Sequence, residues 1–183
     1  MTAAPRADGD PFAVLGLPGT FALAAAALRA ALLRESLLWH PDRFPLADAA
    51  QRRAAELRMA EVNRAHAALA DPLGRAEALL ARAGAPMPRG TDHVSCPGVL
   101  LSMMELKEEI AEARAAGDGE RVATAARRLA EEERRSLTDL AAAFSAWESA
   151  GAPADKTREL HARLAEATYL RRTSEDLTRT AVA

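Results

Sequence analysis

Cysteine is nearly absent from this sequence, which contains a single one, Cys96, among 183 residues. One thiol cannot form an internal disulfide, and it cannot supply a zinc or cluster site of the four-cysteine kind. The scarcity of cysteine is typical of a protein that works in a reducing compartment.

Aromatic residues are also scarce, at 4% of the chain, and Val and Ile are few. The apolar residues, 49% of the total, are mainly Ala and Leu, which favour helices over strands. With 27% charged residues, the composition lies within the globular range. We therefore predict a folded, all-α protein.

The chain has no excess of positive charge, with 24 Lys and Arg against 26 Asp and Glu. Broad binding to nucleic acids or anionic membranes needs many more cations than anions, so we predict neither partner. Residues 21–33 form a long apolar stretch. Arg29 interrupts it, and it is shorter than the ~20 residues of a membrane span. We expect a soluble, cytoplasmic protein.

Proline and glycine mark the predicted helix boundaries. Three starts combine a capping residue with a proline in the first turn, at Asp10-Pro11, Asp71-Pro72 and Cys96-Pro97. Three glycines are placed to end helices, at Gly84, Gly117 and Gly151. These marks predict helices near 11–16, 21–39, 48–70, 72–83, 97–116, 119–150 and 153–179.

The same marks predict two domains joined by a Pro- and Gly-rich linker over 85–96. Residues 10–84 form the first domain, and 97–179 form an antiparallel three-helix bundle. Apolar residues three and four apart predict one buried stripe on each of three helices. These stripes are Met59, Val62, His66 and Leu69; Val99, Met103, Leu106, Ile110 and Ala113; and Leu137, Leu140, Phe144 and Trp147.

The loop after the second helix contains the tripeptide His40-Pro41-Asp42. Pro41 disfavours the α conformation at His40, so the helix must end there and the polar side chains lie on a stiffened turn. Such a turn suits recognition, although an ordinary interhelix loop has the same pattern. A catalytic role with His40 as base and Asp42 orienting it is chemically allowed. The sequence offers no nucleophile or metal partner for that chemistry.

A His-Pro-Asp loop between two antiparallel helices near the N-terminus resembles a J-domain. Residues 10–17 (DPFAVLGL) are similar to the opening helix of that domain, and 62–69 (VNRAHAAL) to its third helix. Phe44 after the loop, residues 71–80 and residues 100–109 are narrower features. Together they resemble the HscB family, the J-type co-chaperones of iron–sulfur cluster assembly, over residues 10–178.

The HscB resemblance implies that the chain binds two partner proteins and catalyses no reaction itself. It implies that the J-domain stimulates the ATPase of an HscA-type heat-shock chaperone, through His40, Pro41 and Asp42. Arg29, Arg34 and Arg43 would supply positive charge against an acidic face of the chaperone, or are ordinary solvated charges. The helix departs from the usual J-domain in ending Leu37-Leu38-Trp39 where many relatives have basic residues.

The resemblance also implies that the C-terminal helices hold an IscU-type scaffold protein, on which the cluster is built. The helix that begins at Pro97 has more apolar residues than its buried stripe can use, and they continue into carboxylates. Alternatively, Leu100 and Leu101 are interdomain core. Tyr169 lies about 180° from the stripe of its own helix and is predicted to face the surface. The predicted scaffold contacts are Leu100, Leu101, Met104, Glu105, Glu108, Glu112 and Tyr169.

No metal or cofactor is predicted, because His93, Cys96 and His161 lack the spacing of a metal site. His66 lies on a predicted core stripe. The sequence therefore favours a non-enzymatic co-chaperone. The alternative is a helical adaptor or dimerisation protein with an incidental His-Pro-Asp loop, and a small His/Asp hydrolase comes third.

Overall fold

A computed structural model of the chain describes residues 9–40, 48–88 and 97–182. Those residues form seven α-helices and one short 3-10 helix, and none of them lies in a strand. The helices are α1 (Pro11–Leu15), α2 (Ala25–Trp39), α3 (Ala49–Ala70), α4 (Pro72–Arg82), α5 (Pro97–Ala115), α6 (Gly119–Ser149) and α7 (Thr157–Val182). The chain divides into two compact units, Met1–Pro86 and Met87–Ala183.

The predicted caps and stops hold wherever the structure describes them. The Asp10 carboxylate accepts a hydrogen bond from the Phe12 amide at 3.0 Å, and the Asp71 carboxylate accepts one from the Gly74 amide at 3.0 Å. Gly84, Gly117 and Gly151 have φ values of 76°, 70° and 81°, the left-handed conformation that favours glycine at helix ends. The proposed cap Cys96 and most of the predicted linker lie outside the described residues.

Two helix starts differ from the prediction. Helix α2 begins at Ala25, about one turn later than predicted. Phe21 is buried in the preceding turn, where its ring lies under the Arg75 guanidinium at 5.8 Å and its carbonyl accepts a hydrogen bond from the Arg75 Nη1 at 2.8 Å. Phe21 is therefore buried by tertiary contacts and not as part of a helix, which is why the apolar pattern predicted too early a start for α2. Helix α7 begins at Thr157, after the 3-10 helix Ala154–Lys156.

The first unit is built around α3, which packs against α1, α2 and α4. Its buried stripe is rotated from the predicted one, because Met59 and His66 are only half-buried while Ala55 and Ala65 are buried. Two alanines on the contact face let neighbouring helices approach closely, so the larger side chains lie at its edge. The expected core position of His66 is therefore wrong. The buried residues of this unit are Phe12, Val14, Leu15, Phe21, Leu28, Ala31, Ala55, Val62, Ala65, Leu69, Leu73, Ala76, Leu79 and Leu80.

Every carbonyl in the last turn of α1 has a donor. The Leu17 and Gly16 amides donate to the Phe12 and Ala13 carbonyls. The remaining two carbonyls bind arginines from other helices, because Arg58 of α3 donates to the Val14 carbonyl at 3.1 Å and Arg34 of α2 donates to the Leu15 carbonyl. A helix this short cannot be stable alone, so these two side chains fix it against the α2–α3 hairpin.

Arg58 also makes two ion pairs. Its guanidinium donates to the Glu61 carboxylate at 2.6 Å and lies 3.8 Å from the Glu35 carboxylate of α2. The side chains of Arg58 and Glu35 are both largely buried. One guanidinium therefore joins α1, α2 and α3.

The second unit is a three-helix bundle of α5, α6 and α7. On α5, Met103, Leu106, Ile110 and Ala113 are buried as predicted, and Val99 packs against them. On α6 the predicted stripe is correct at Leu140, Phe144 and Trp147, but Leu137 is half-buried and Ser136 is buried in its place. The ring of Trp147 packs edge-on against Phe144, and its Nε1 donates to the Pro153 carbonyl at 3.0 Å, which fixes the turn into α7.

Arg58→Met is expected to lower the unfolding free energy of the first unit by about 2 kcal/mol, which corresponds to a melting temperature about 8–16 °C lower. The substitution removes the donor to the Val14 carbonyl and leaves the largely buried Glu35 carboxylate with Arg34 as its remaining ion-pair partner. Thermal melting followed by circular dichroism measures this.

Arg53→Met is the matched control, because Arg53 lies on the same helix, is mostly exposed, and pairs with the exposed Glu56. We expect a change within ~0.5 kcal/mol for that variant. Equal melting temperatures for the two variants would show that Arg58 does not join the three helices.

Candidate partner-binding surfaces

The first candidate surface lies where α2 ends. His40 is the C-terminal cap of α2 with extended backbone angles, φ −62° and ψ 135°, as its position before a proline requires. Its amide donates to the Ser36 carbonyl at 2.9 Å, and the residue is exposed. Pro41, Asp42 and Arg43 lie outside the described residues, so their predicted roles stay predictions.

The far side of this loop is fixed by a capping box at the start of α3. The Asp48 carboxylate accepts a hydrogen bond from the Gln51 amide at 2.7 Å, and the Gln51 side chain accepts one from the Asp48 amide at 3.3 Å. Because α2 and α3 also pack against each other, the two ends of the loop are held by the hairpin. His40 is thereby exposed to solvent at the end of two packed helices.

The two described arginines of the predicted chaperone surface differ. Arg29 is exposed on α2. Arg34 donates to the Leu15 carbonyl and pairs with Glu35 at 3.4 Å, although about half of its side chain remains exposed. Arg34 therefore holds α1 in place, which the sequence did not reveal, and a charge reversal there would disturb folding as well as any docking.

The second candidate surface is the outer face of α5. Leu101 and Met104 are 60% and 52% exposed, and Glu105, Glu108 and Glu112 are exposed beside them. Leu101, Glu105, Glu108 and Glu112 follow a spacing of four, three and four, which aligns them on one side of the helix. The side chain of Leu100 lies outside the described residues.

The exposed outer face of α5 has a defined border on each side. On one side, Glu109 accepts a hydrogen bond from Arg128 of α6 at 3.1 Å. On the other, the Lys107 ammonium lies 5.9 Å from the centre of the Tyr169 ring. Leu101 is exposed and takes no part in the buried core of the bundle.

Tyr169 is half-buried, and this corrects its predicted surface orientation. Its ring packs against the core cluster that contains Met103, Leu106 and Leu170. Helix α7 contacts both α6 and α5 and so buries more than one face, whereas the predicted orientation assumed a single buried stripe. Only part of the ring is available to a partner.

Nothing in the described ranges places three or more His, Cys, Asp or Glu side chains together as a metal site would. Among the same residues, no helix combines the length and apolar character needed to cross a membrane.

Comparisons with known proteins decide the family. A family model described as the HSCB C-terminal oligomerisation domain matches residues 96–178. A co-chaperone protein HscB homolog from Ralstonia nicotianae is 33% identical over 154 residues, which are 84% of this chain and 88% of the relative. This chain belongs to the HscB family.

The other relatives of this HscB-family chain agree. A Bordetella avium HscB homolog is 37% identical over 108 residues, 59% of this chain and 64% of that protein's length. The crystal structure of human co-chaperone protein HscB superposes with a TM-score of 0.82 at 22% identity, covering 98% of this chain and 85% of the human one. The chaperone HscB from Vibrio cholerae gives a TM-score of 0.64 at 29% identity, covering 92% and 99%.

The matches confirm the predicted fold, an all-α J-domain followed by a C-terminal three-helix bundle. The matched relatives are named co-chaperones and not enzymes. The hydrolase interpretation of His40 and Asp42 has no support from these relatives.

Tyr169→Ala is expected to destabilise the second unit by about 2 kcal/mol, because it removes a ring packed on the bundle core. Met104→Ala should change stability by less than ~0.5 kcal/mol, because that side chain is 52% exposed. Chemical denaturation of both variants measures this. A Tyr169→Ala protein as stable as the Met104→Ala protein would contradict the half-buried placement of the ring.

Proposed function

We propose that this chain is a co-chaperone of iron–sulfur cluster assembly. Its first unit stimulates the ATPase of an HscA-type heat-shock chaperone, and its second unit binds an IscU-type scaffold protein. The chain itself hydrolyses nothing, since ATP chemistry belongs to the chaperone. It works by presenting the scaffold and the chaperone to each other.

One observation carries this proposal: His40 is exposed at the end of the α2–α3 hairpin, with a helix cap on either side of its loop. A contact residue needs accessibility and a fixed position, because an interface gains little from a side chain that must first be ordered. The matched HscB relatives support assigning this loop to the chaperone.

The outer face of α5 supports the second half of the proposal. An apolar centre of Leu101 and Met104 beside three carboxylates suits a partner with an apolar patch and cationic neighbours. Buried apolar anchors provide most of the binding energy in such interfaces, while charges at the rim select the partner. Leu100 belongs to this proposed surface by its position in α5.

His40→Gln should abolish stimulation of the chaperone ATPase while leaving helical content and scaffold affinity unchanged. His40 is exposed, so its replacement affects a contact and not the fold. Single-turnover ATPase measurements with the purified chaperone test this. Full stimulation at the wild-type concentration dependence would remove the J-domain function from the proposal.

The double variant Leu101→Ala, Met104→Ala should weaken scaffold binding by well over an order of magnitude, because two exposed anchors are truncated. It should still stimulate the basal ATPase of the chaperone through its first unit. Calorimetric titration with the scaffold measures the affinity, and a melting curve confirms folding. Normal scaffold affinity in a folded double variant would assign the binding face elsewhere.

Self-association through the bundle is the second candidate, because the matching family model is described as an oligomerisation domain. In that case the chain would act as a helical adaptor, and α5 would contact a second copy. Sedimentation equilibrium distinguishes the two functions. A dimer that the Leu101→Ala, Met104→Ala variant disrupts, together with no effect on any chaperone ATPase, would favour the adaptor.

A further inference from the structure

The outer face of α2 is apolar along most of its length. Ala26, Ala30, Leu33 and Leu37 follow a spacing of four, three and four, which places them on one stripe of the helix. All four are exposed, and Leu33 and Leu37 have 60% and 59% of their surface accessible. We name these four residues the α2 stripe.

Packing of the hairpin does not require this stripe. Helix α2 already buries Leu28 and Ala31 on its inner side. The α2 stripe lies on the opposite side, so α2 is apolar on two faces. A connected set of exposed apolar side chains marks a surface that binds something, whereas single exposed leucines are ordinary. Leu57 of α3 is such a single one, 56% exposed with Arg53 and Glu61 four residues to either side.

The charges beside the α2 stripe identify its partner. The exposed ionic groups of α2 are Arg29 and, for about half of its side chain, Arg34. The one carboxylate of the helix, Glu35, is largely buried and pairs with Arg34 at 3.4 Å and Arg58 at 3.8 Å, so it presents little negative charge to solvent. Two copies packed through this stripe would bring arginines against arginines, which is unfavourable at close range. The complementary partner has an apolar groove with acidic edges.

The α2 stripe also leads directly to the loop assigned to the chaperone. Leu37 is three residues before His40, a rise of about 4.5 Å along a helix, and both residues are exposed. A partner that contacts His40 would therefore also cover Leu37, and one helical turn further it would reach Leu33.

We propose that Leu33 and Leu37 are the apolar anchors by which this chain docks on the ATP-driven chaperone, in an apolar groove with acidic edges. This inference rests on the proposed function and names the chemistry of its contact. Ala26 and Ala30 let the groove approach the helix backbone. Arg29 and Arg34 lie at the rim, where they affect partner selection and association rate more than affinity.

The test is the double variant Leu33→Gln, Leu37→Gln. Gln has nearly the helix propensity of Leu, so α2 should persist and the melting temperature should stay within experimental error. The concentration of variant that gives half-maximal ATPase stimulation should rise about tenfold or more. The stimulation reached at saturation should be preserved, because His40 is intact.

The matched control is Leu57→Gln, which removes an equally exposed leucine outside the α2 stripe and should leave stimulation unchanged. A salt titration adds a second readout. Apolar anchoring predicts that chaperone affinity falls only slightly between about 50 and 500 mM salt, since exposed charge pairs are screened and apolar contacts are not.

Three results would overturn this inference. The first is a double variant that stimulates at the wild-type concentration while His40→Gln is inactive, since the proposed function would then stand without apolar anchoring. The second is a wild-type dimer in sedimentation that the double variant abolishes with no change in stimulation, since a second copy would then cover the stripe. If the wild-type chain stimulates no chaperone, the proposed function fails and this inference fails with it.

Discussion

The first unit depends on one guanidinium, that of Arg58. It donates to the last turn of α1 at the Val14 carbonyl, pairs with Glu61 on its own helix and lies 3.8 Å from Glu35 of α2. The two carboxylates compensate its partial burial, and the carbonyl of α1 gains a donor that a five-residue helix cannot provide. The α2–α3 hairpin, and so the position of His40, is built on this junction.

The exposed faces of α2 and α5 both combine apolar side chains with charged neighbours, but the charges have opposite signs. On α2, exposed leucines lie among arginines, and on α5, Leu101 and Met104 lie among glutamates. Apolar centres supply affinity without regard to the identity of the partner, so charge at the rim must provide the selection. A chain that binds two different proteins benefits from this opposition, because a partner that fits one surface is repelled by the other.

The sequence by itself determined the fold class and most of the helices. Its capping residues and glycines set helix ends through local hydrogen bonds and left-handed angles, which need no tertiary information, as at Asp10, Asp71 and Gly117. The spacing of Met103, Leu106 and Ile110 also predicted their burial correctly, because an apolar stripe with the helical period marks the buried face of a helix. The family resemblance was also visible in the sequence, because it depends on short motifs from residues 10–17 to residues 100–109, each of which is local.

Tertiary structure decided what depends on distant neighbours. Phe21 is buried outside any helix because Arg75, far along the chain, binds its carbonyl, and Tyr169 is half-buried because α7 contacts two helices at once. Arg34 looked like a free surface charge until the end of α1 was placed beside it. The sequence showed that Leu33 and Leu37 were apolar, but only the packing of α2 on α3 decided that they face solvent, since a helix has two sides and only its neighbours select the buried one.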